Sequence, residues 1–166
     1  FAQNGFHQTT MQDVCDEAGL SAGAVYNYFT SKEEIITECC LHNQSDIAQA
    51  FASIDHSNGT IAALNQVIDR FFGELSSAEA DTFMRFQVQL WGESLRNPEV
   101  KEGIYVVRQQ VLTDLAEVVR RGQASGELTD EADPDYVAMV LMSAYEGLLL
   151  QKALTPSIDV PKYVSA

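Results

Sequence analysis

Residues 9–34 read TTMQDVCDEAGLSAGAVYNYFTSKEE. They spell two short helical segments joined by a glycine turn, followed at once by the capped start of a third helix. The boundaries follow from side-chain chemistry. Thr10 is placed to cap the first segment, with Asp13, three residues on, as its capping-box partner. Val14 and Ala18 share a face at i, i+4 spacing, while Gln12, Asp13, Asp16 and Glu17 keep the other face in water. Gly19 follows the last periodic residue, where the left-handed conformation that closes a helix favours glycine. Leu20 is expected to plug the core and Ser21 to cap the second segment, which Val25 and Phe29 anchor inward. This is how a helix-turn-helix reads, and it makes DNA the first partner to consider.

The second segment opens with Ala22, Gly23 and Ala24. Short side chains let a backbone approach the floor of a major groove, while serine, threonine and tyrosine hydroxyls reach phosphate oxygens. Ser31 and Glu34 then form an S-x-x-E capping box with Lys32 in the first turn. A lysine beside the N–H groups of a helix start makes a phosphate clamp.

The pattern G-F-x-x-T-T-M-x-D-V-x-x-x-A-G-L-S-x-G-A-V-Y-x-Y-F-x-S-K-E-E resembles the DNA-binding head of the TetR family of bacterial transcriptional regulators, over residues 1–36. The resemblance implies an all-α fold with a helix-turn-helix head (1–36) and a helical effector-binding and dimerisation domain (37–166). It further implies a homodimer whose two heads read a palindromic double-stranded operator, with a small-molecule effector pulling the heads apart. Carried over by position, Thr10, Ser21, Tyr26, Tyr28 and Lys32 match phosphate-contacting positions. Ala22, Gly23, Ala24 and Asn27 match groove-facing ones. Alanine at 22 and 24 leaves base reading thin, so Asn27 and Gln12 are the remaining candidates for base edges.

The charge pulls the other way. Residues 1–45 hold Lys32 against Asp13, Asp16, Glu17, Glu33, Glu34 and Glu38, whereas attraction to phosphate normally supplies most non-specific affinity. Only the end of the family's first helix matches F-A-x-x-G-F, so Lys or Arg is expected ahead of Phe1. The net charge of −14 argues against an RNA or membrane-surface protein, both of which want a basic face. Three cysteines, Cys15, Cys39 and Cys40, are an odd number with two adjacent, a poor disulfide framework that fits a reduced cytoplasm.

Beyond the head every segment reads as helix. The first runs from 33 to about 53. Thr60 is expected to cap a helix over 61–75, and others follow over 78–95, from Pro98 to 122, and from Pro134 to about 154. The last is apolar on nearly all sides, which demands burial on both. The run is too short for a membrane span and holds Glu146, so no membrane partner is expected. One face is expected to join its own core and the other a second subunit, through small residues Ala138, Ser143, Ala144 and Gly147. Val107, Val111, Leu115 and Val118 of the preceding helix are expected to complete a four-helix dimer interface.

Phe71, Phe83, Phe86, Trp91, Tyr105, Met142 and Tyr145 are candidates to line an effector cavity, with Phe72 and Met139 beside them. Gln87, Arg108 and Glu146 are the polar groups placed to orient a ligand, and Glu93 is a further one. Glu93 and Glu146 with Trp91 and Tyr145 suit a lipophilic cation, though an aromatic stripe at helical spacing is more often ordinary core than pocket. Cys39, Cys40 and His42 form C-C-x-H on one helix, a spacing that suits small core residues better than metal ligands. No nucleophile-elbow, triad or phosphate-loop spacing points to an enzyme, and neither a cofactor nor a metal is expected. Two functions remain: a ligand-responsive DNA-binding repressor, and a dimeric helical small-molecule-binding protein whose head no longer binds DNA.

Overall fold

Polar side chains at the helix starts set the element boundaries. The computed structural model describes residues 1–165, with the side chains of residues 43 and 44 excepted; Ala166, the end of the expected second domain, lies outside the described residues. The order is α1 (Met11–Ala18), α2 (Ala22–Tyr26), α3 (Lys32–Ala52), α4 (Thr60–Glu74), α5 (Ala80–Ser94), α6 (Pro98–Ser125), α7 (Pro134–Leu154) and α8 (Val160–Val164), with no strand among the described residues. Thr10 and Asp13 close the capping box of α1 reciprocally, the Thr10 N–H donating to the Asp13 carboxylate at 2.7 Å. Asn97 caps α6 and Asp133 caps α7, each followed by proline in the first turn, where its missing N–H costs nothing.

The start of α4 is capped from a distance. Thr60 lies inside the helix rather than before it, and its N–H donates to the Glu127 carboxylate at 2.7 Å. Gly59, at φ 88°, provides no side chain, so a residue from beyond the end of α6 supplies the acceptor. Ser31 accepts from the Glu34 N–H as expected, but the Glu34 carboxylate reaches one residue further back, to the N–H and hydroxyl of Thr30. The short α8 is a helix the periodicity did not announce. Asp159 caps it and Val160 is buried against the end of α4 and α5.

The helices assemble around α6. Val111, Leu115 and Ala116 of α6 meet Val67 of α4 and Ala138 of α7 in one core cluster. A second joins Leu75, Met84, Tyr145, Leu148 and Leu149 across α4, α5 and α7. Complete burial of each such aliphatic side chain contributes on the order of 2 kcal/mol. This packing corrects the expected dimer face. Val111, Leu115 and Val118 are at most 5% exposed and Ala138 is fully buried, so they serve the protomer's own core. The outward face of α7 is instead Tyr136, Met139, Val140, Ser143, Ala144, Gly147, Leu150 and Leu154, recurring at three- and four-residue intervals. At 21 residues α7 is long and apolar enough to cross a membrane, so length does not exclude a span. Its inner face nevertheless packs as a core helix does.

Leu20 is a further correction. It is 54% exposed, while Cys15 and Val25 fill the small space between α1 and α2.

Close packing at the α4–α6 crossing has a measurable consequence. A Cβ on Gly122 would stand 2.6 Å from Thr60 Cγ2 and 2.7 Å from Leu128 Cδ1. Gly122→Ala is expected to destabilise the protein by about 1–3 kcal/mol in chemical denaturation. Unchanged or increased stability would show that the crossing is looser than described.

Candidate nucleic-acid interface and ligand cavity

The head is held together by little. Gly19, at φ 65°, ends α1 in the left-handed region and turns the chain into α2, whose cap Ser21 accepts from the Ala24 N–H at 3.2 Å. Ala22 and Gly23 are exposed and Ala24 half-buried, and a Cβ on Gly23 would meet nothing within 4 Å. Tyr26 is 52% and Tyr28 80% exposed, with no packing demand to explain either ring. Asn27 stands just past the end of α2 with its side chain in solvent. Thr10 and Gln12 are exposed too, but the Gln12 amide donates to Asp16 at 2.7 Å and must release it before reaching a base.

Lys32 does more than point outward. Its ammonium donates to the Phe6 carbonyl at 2.7 Å and lies 4.6 Å from the centre of the Phe6 ring. Phe6 is itself buried among Ile36, Cys40, Leu90 and Val100, at the meeting of α3, α5 and α6. Beside it, His7 Nε2 lies 3.0 Å from the carboxylate of Glu93, a residue of α5 only 6% exposed. Glu93 is thereby committed to the head segment rather than to a ligand. The sequence signal for this joint was slight: one aromatic and one histidine in a segment without helical periodicity.

Between α3, α4, α5, α6 and α7 lies a cavity of about 850 Å³. Phe71, Phe83, Trp91, Met142 and Tyr145 contribute to its wall, as do Gln87, Arg108 and Glu146. Phe86 does not: it projects to the other side of α5, against the Phe6 cluster. Tyr105 does not either, being 54% exposed on the outside of α6. Met139 faces outward, and Phe72 packs edge-on against the Tyr145 ring at 5.5 Å. Asp46, Arg70, Glu74 and Glu79 also line the cavity. They occupy polar positions that a search for apolar stripes passes over.

The cavity's ionisable groups perturb one another. Burial pushes the Glu74 carboxyl up, with Arg70 opposing and Asp46 adding to the rise. Burial also raises Glu146, against the pull of its ion-pair partner Arg108. The Tyr145 phenol is pushed up by burial and then by the two nearby carboxylates. Cys40, on the cavity's α3 side, is pushed up to about 11 by burial and by Cys39.

Comparison with known proteins agrees with this arrangement at both ends. Residues 1–39 match the model of the bacterial regulatory proteins of the tetR family, and residues 61–162 match that of the C-terminal domain of BetI-type transcriptional repressors. The HTH-type transcriptional regulator UidR of Escherichia coli is 24% identical over 156 residues, covering 90% of this chain and 74% of that protein. The regulator TtgR of Pseudomonas putida is 27% identical over 176 residues, covering 96% and 78%. Among solved structures, Salmonella enterica GusR superposes with a TM-score of 0.77 at 26% identity, covering 90% of this chain and 75% of that one. The fatty acid degradation regulator FadR of Bacillus halodurans gives a TM-score of 0.84 over 99% and 84%; at 18% identity it attests the fold alone.

The head's caps make it acid-sensitive. Thr10 holds the Asp13 carboxyl below its ordinary value through its N–H and then its hydroxyl, and Thr30 does the same for Glu34. A carboxyl depressed in the fold stabilises it fully above the ordinary carboxylate range and loses that effect as pH falls through the lowered value. The double variant Asp13→Asn, Glu34→Gln is therefore expected to flatten the helicity-versus-pH profile between about pH 5 and 3. A profile identical to the parent's would show that these caps do not hold the head.

Proposed function

The chain belongs to the tetR family of bacterial regulatory proteins, and we propose that it works as a homodimeric repressor released from a palindromic operator by a small molecule held in the cavity. It is a ligand-responsive DNA-binding transcriptional regulator; the assignments that follow concern how its own residues perform that task. Residues 1–36 act as the head and the rest as the effector and dimer domain, with α3 running through the junction at 36/37 as the rigid connection. In the head, α2 enters the major groove. Ala22, Gly23 and Ala24 admit its backbone to the groove floor, and Asn27 and Gln12 read base edges. Thr10, Ser21, Tyr26, Tyr28 and Lys32 take phosphates. The carrying observation is the outward face of α2, where Tyr26 and Tyr28 stand exposed beside three residues of minimal size.

The second copy covers α7. An apolar stripe from Tyr136 to Leu154 with Ser143, Ala144 and Gly147 at its centre is a costly surface for a monomer and a close-packing one for a helix pair. A two-fold pairing there, extended by α6, duplicates the head for two half-sites. Work on DNA places the protein in the cytoplasm.

Coupling runs through α5. Its Leu90, Trp91 and Gly92 border the cavity, while Leu90 also packs on Phe6 and Glu93 holds His7. A ligand that displaces α5 displaces the head with it, so occupancy shifts the population of head spacings. The competing reading, a ligand-sequestering protein without DNA affinity, draws on the acidic head, in which Lys32 is already bonded to Phe6.

Selection of bound sequences from random duplex DNA by the full chain decides between the two readings, since failure to enrich any palindrome overturns the repressor. On an enriched operator, Lys32→Ala is expected to weaken binding about tenfold on every sequence and lower the salt slope by about one. Asn27→Ala should relax preference at one position by roughly 1–3 kcal/mol. Both variants binding like the parent would refute the groove assignment.

The dimer is tested separately by Val140→Asp, which places a charge in the middle of the α7 stripe. Sedimentation is expected to shift from dimer to monomer, with operator affinity falling in step. A variant that remains dimeric would move the interface elsewhere.

A further inference from the structure

We propose that the cavity selects an amphipathic organic cation: an ammonium or quaternary ammonium group carried on a flat apolar body. The proposal rests on the cavity being the effector site, as argued above, and adds the chemistry of what enters it.

Four carboxylates line the cavity, Asp46, Glu74, Glu79 and Glu146, against two guanidiniums, Arg70 and Arg108. Both cations are already engaged: Arg108 pairs with Glu146, and Arg70 lies 3.7 Å from Glu74. Asp46 and Glu79 are exposed, whereas Glu74 and Glu146 are half-buried further in. The charge thus draws a cation first to the rim and then inward.

The inner wall is built for such a guest. Tyr145 is 8% exposed, lines the cavity, and its hydroxyl makes no hydrogen bond to any described residue. Phe71 holds its ring edge-on at 5.8 Å. An N–H or N-methyl cation beside Tyr145 meets a phenol oxygen, two carboxylates and aromatic faces at once. Burial already penalises the charged forms of Glu74 and Glu146, and a bound cation relieves that penalty. Phe71, Phe83 and Trp91 supply the apolar wall for the ligand's body, and about 850 Å³ is room for a drug-sized molecule. A carboxylate-bearing ligand meets the opposite situation: an excess of like charge, with each arginine already paired.

Trp91 is the only tryptophan in the chain and lies in the cavity wall, so its fluorescence reports occupancy. Three probes with one common body separate the chemistry: 4-phenylbutyltrimethylammonium, 4-phenylbutanol and 4-phenylbutanoate. Titrated into the full chain, the ammonium is expected to bind at least about tenfold tighter than the alcohol, with the carboxylate weakest. Glu74→Gln is expected to lower ammonium affinity at least about threefold and leave the alcohol unchanged. Glu146→Gln should do the same, but it breaks the closer and more buried ion pair, with Arg108, whereas Glu74→Gln loosens only the 3.7 Å contact with the more exposed Arg70, so Glu74→Gln is the deciding variant. If the alcohol or the carboxylate binds as tightly as the ammonium, the ligand class is overturned while the cavity stands as the effector site. Equal losses for ammonium and alcohol in Glu74→Gln also overturn the class. Silence of Trp91 and of calorimetry toward all three probes overturns the cavity as effector site and the class together.

Discussion

The ring of Phe6 is buried among Ile36, Cys40, Leu90 and Val100, and every movement of the head must pass through that packing. Among the described residues, α1 and α2 otherwise share only the buried Cys15 and Val25. Three kinds of contact converge on this joint: an apolar ring, the Lys32 ammonium on the Phe6 carbonyl, and the buried Glu93 against His7. The contact between His7 and Glu93 has a directional consequence. Glu93 is almost wholly out of water, so a head that swings away from α5 leaves a carboxylate buried without its partner, which is costly. The head therefore has preferred positions rather than a continuous range, a requirement for switching.

The chain's charge is easier to understand once its location is known. The 166 residues carry a net charge of −14, which opposes attraction to phosphate. Part of the acid excess belongs to the cavity, with Asp46 and Glu79 exposed at its rim and Glu74 and Glu146 half-buried further in. On the proposed reading, that part of the charge serves the effector.

Local chemistry was legible in the sequence, and long-range geometry was not. The caps at Thr10, Ser21 and Ser31 were readable because each depends on residues within four positions. Thr60 misled because its N–H is satisfied by Glu127, 67 residues away, a pairing that no local pattern encodes. The α6 stripe of Val111, Leu115 and Val118 was recognised as apolar, yet periodicity cannot say whether a stripe meets its own core or another subunit. The same ambiguity separated Phe86 and Tyr105 from the cavity: a rotation of about 100° per residue decides which neighbouring aromatic faces inward. Polar cavity residues such as Glu74 and Arg70 were invisible for the opposite reason, since at a helix surface they look like solvent-facing groups.

Effector and operator act on one equilibrium, which constrains how the cavity is built. A ligand moves the head only by the difference between its affinities for the two head positions, typically 1–3 kcal/mol, and DNA must weaken the ligand by the same factor. A deep, fully enclosed pocket that binds equally in both states would switch nothing, however tightly it held its guest. Here the wall that α5 contributes also holds Phe6, through Leu90, and His7, through Glu93, so a shift of that wall shifts the joint. Trp91 and Gly92 on one side of that helix and Glu93 on the other are consecutive residues. On the proposed reading, the distance between sensing and response is the thickness of a single helix, and the coupling needs no longer pathway than that.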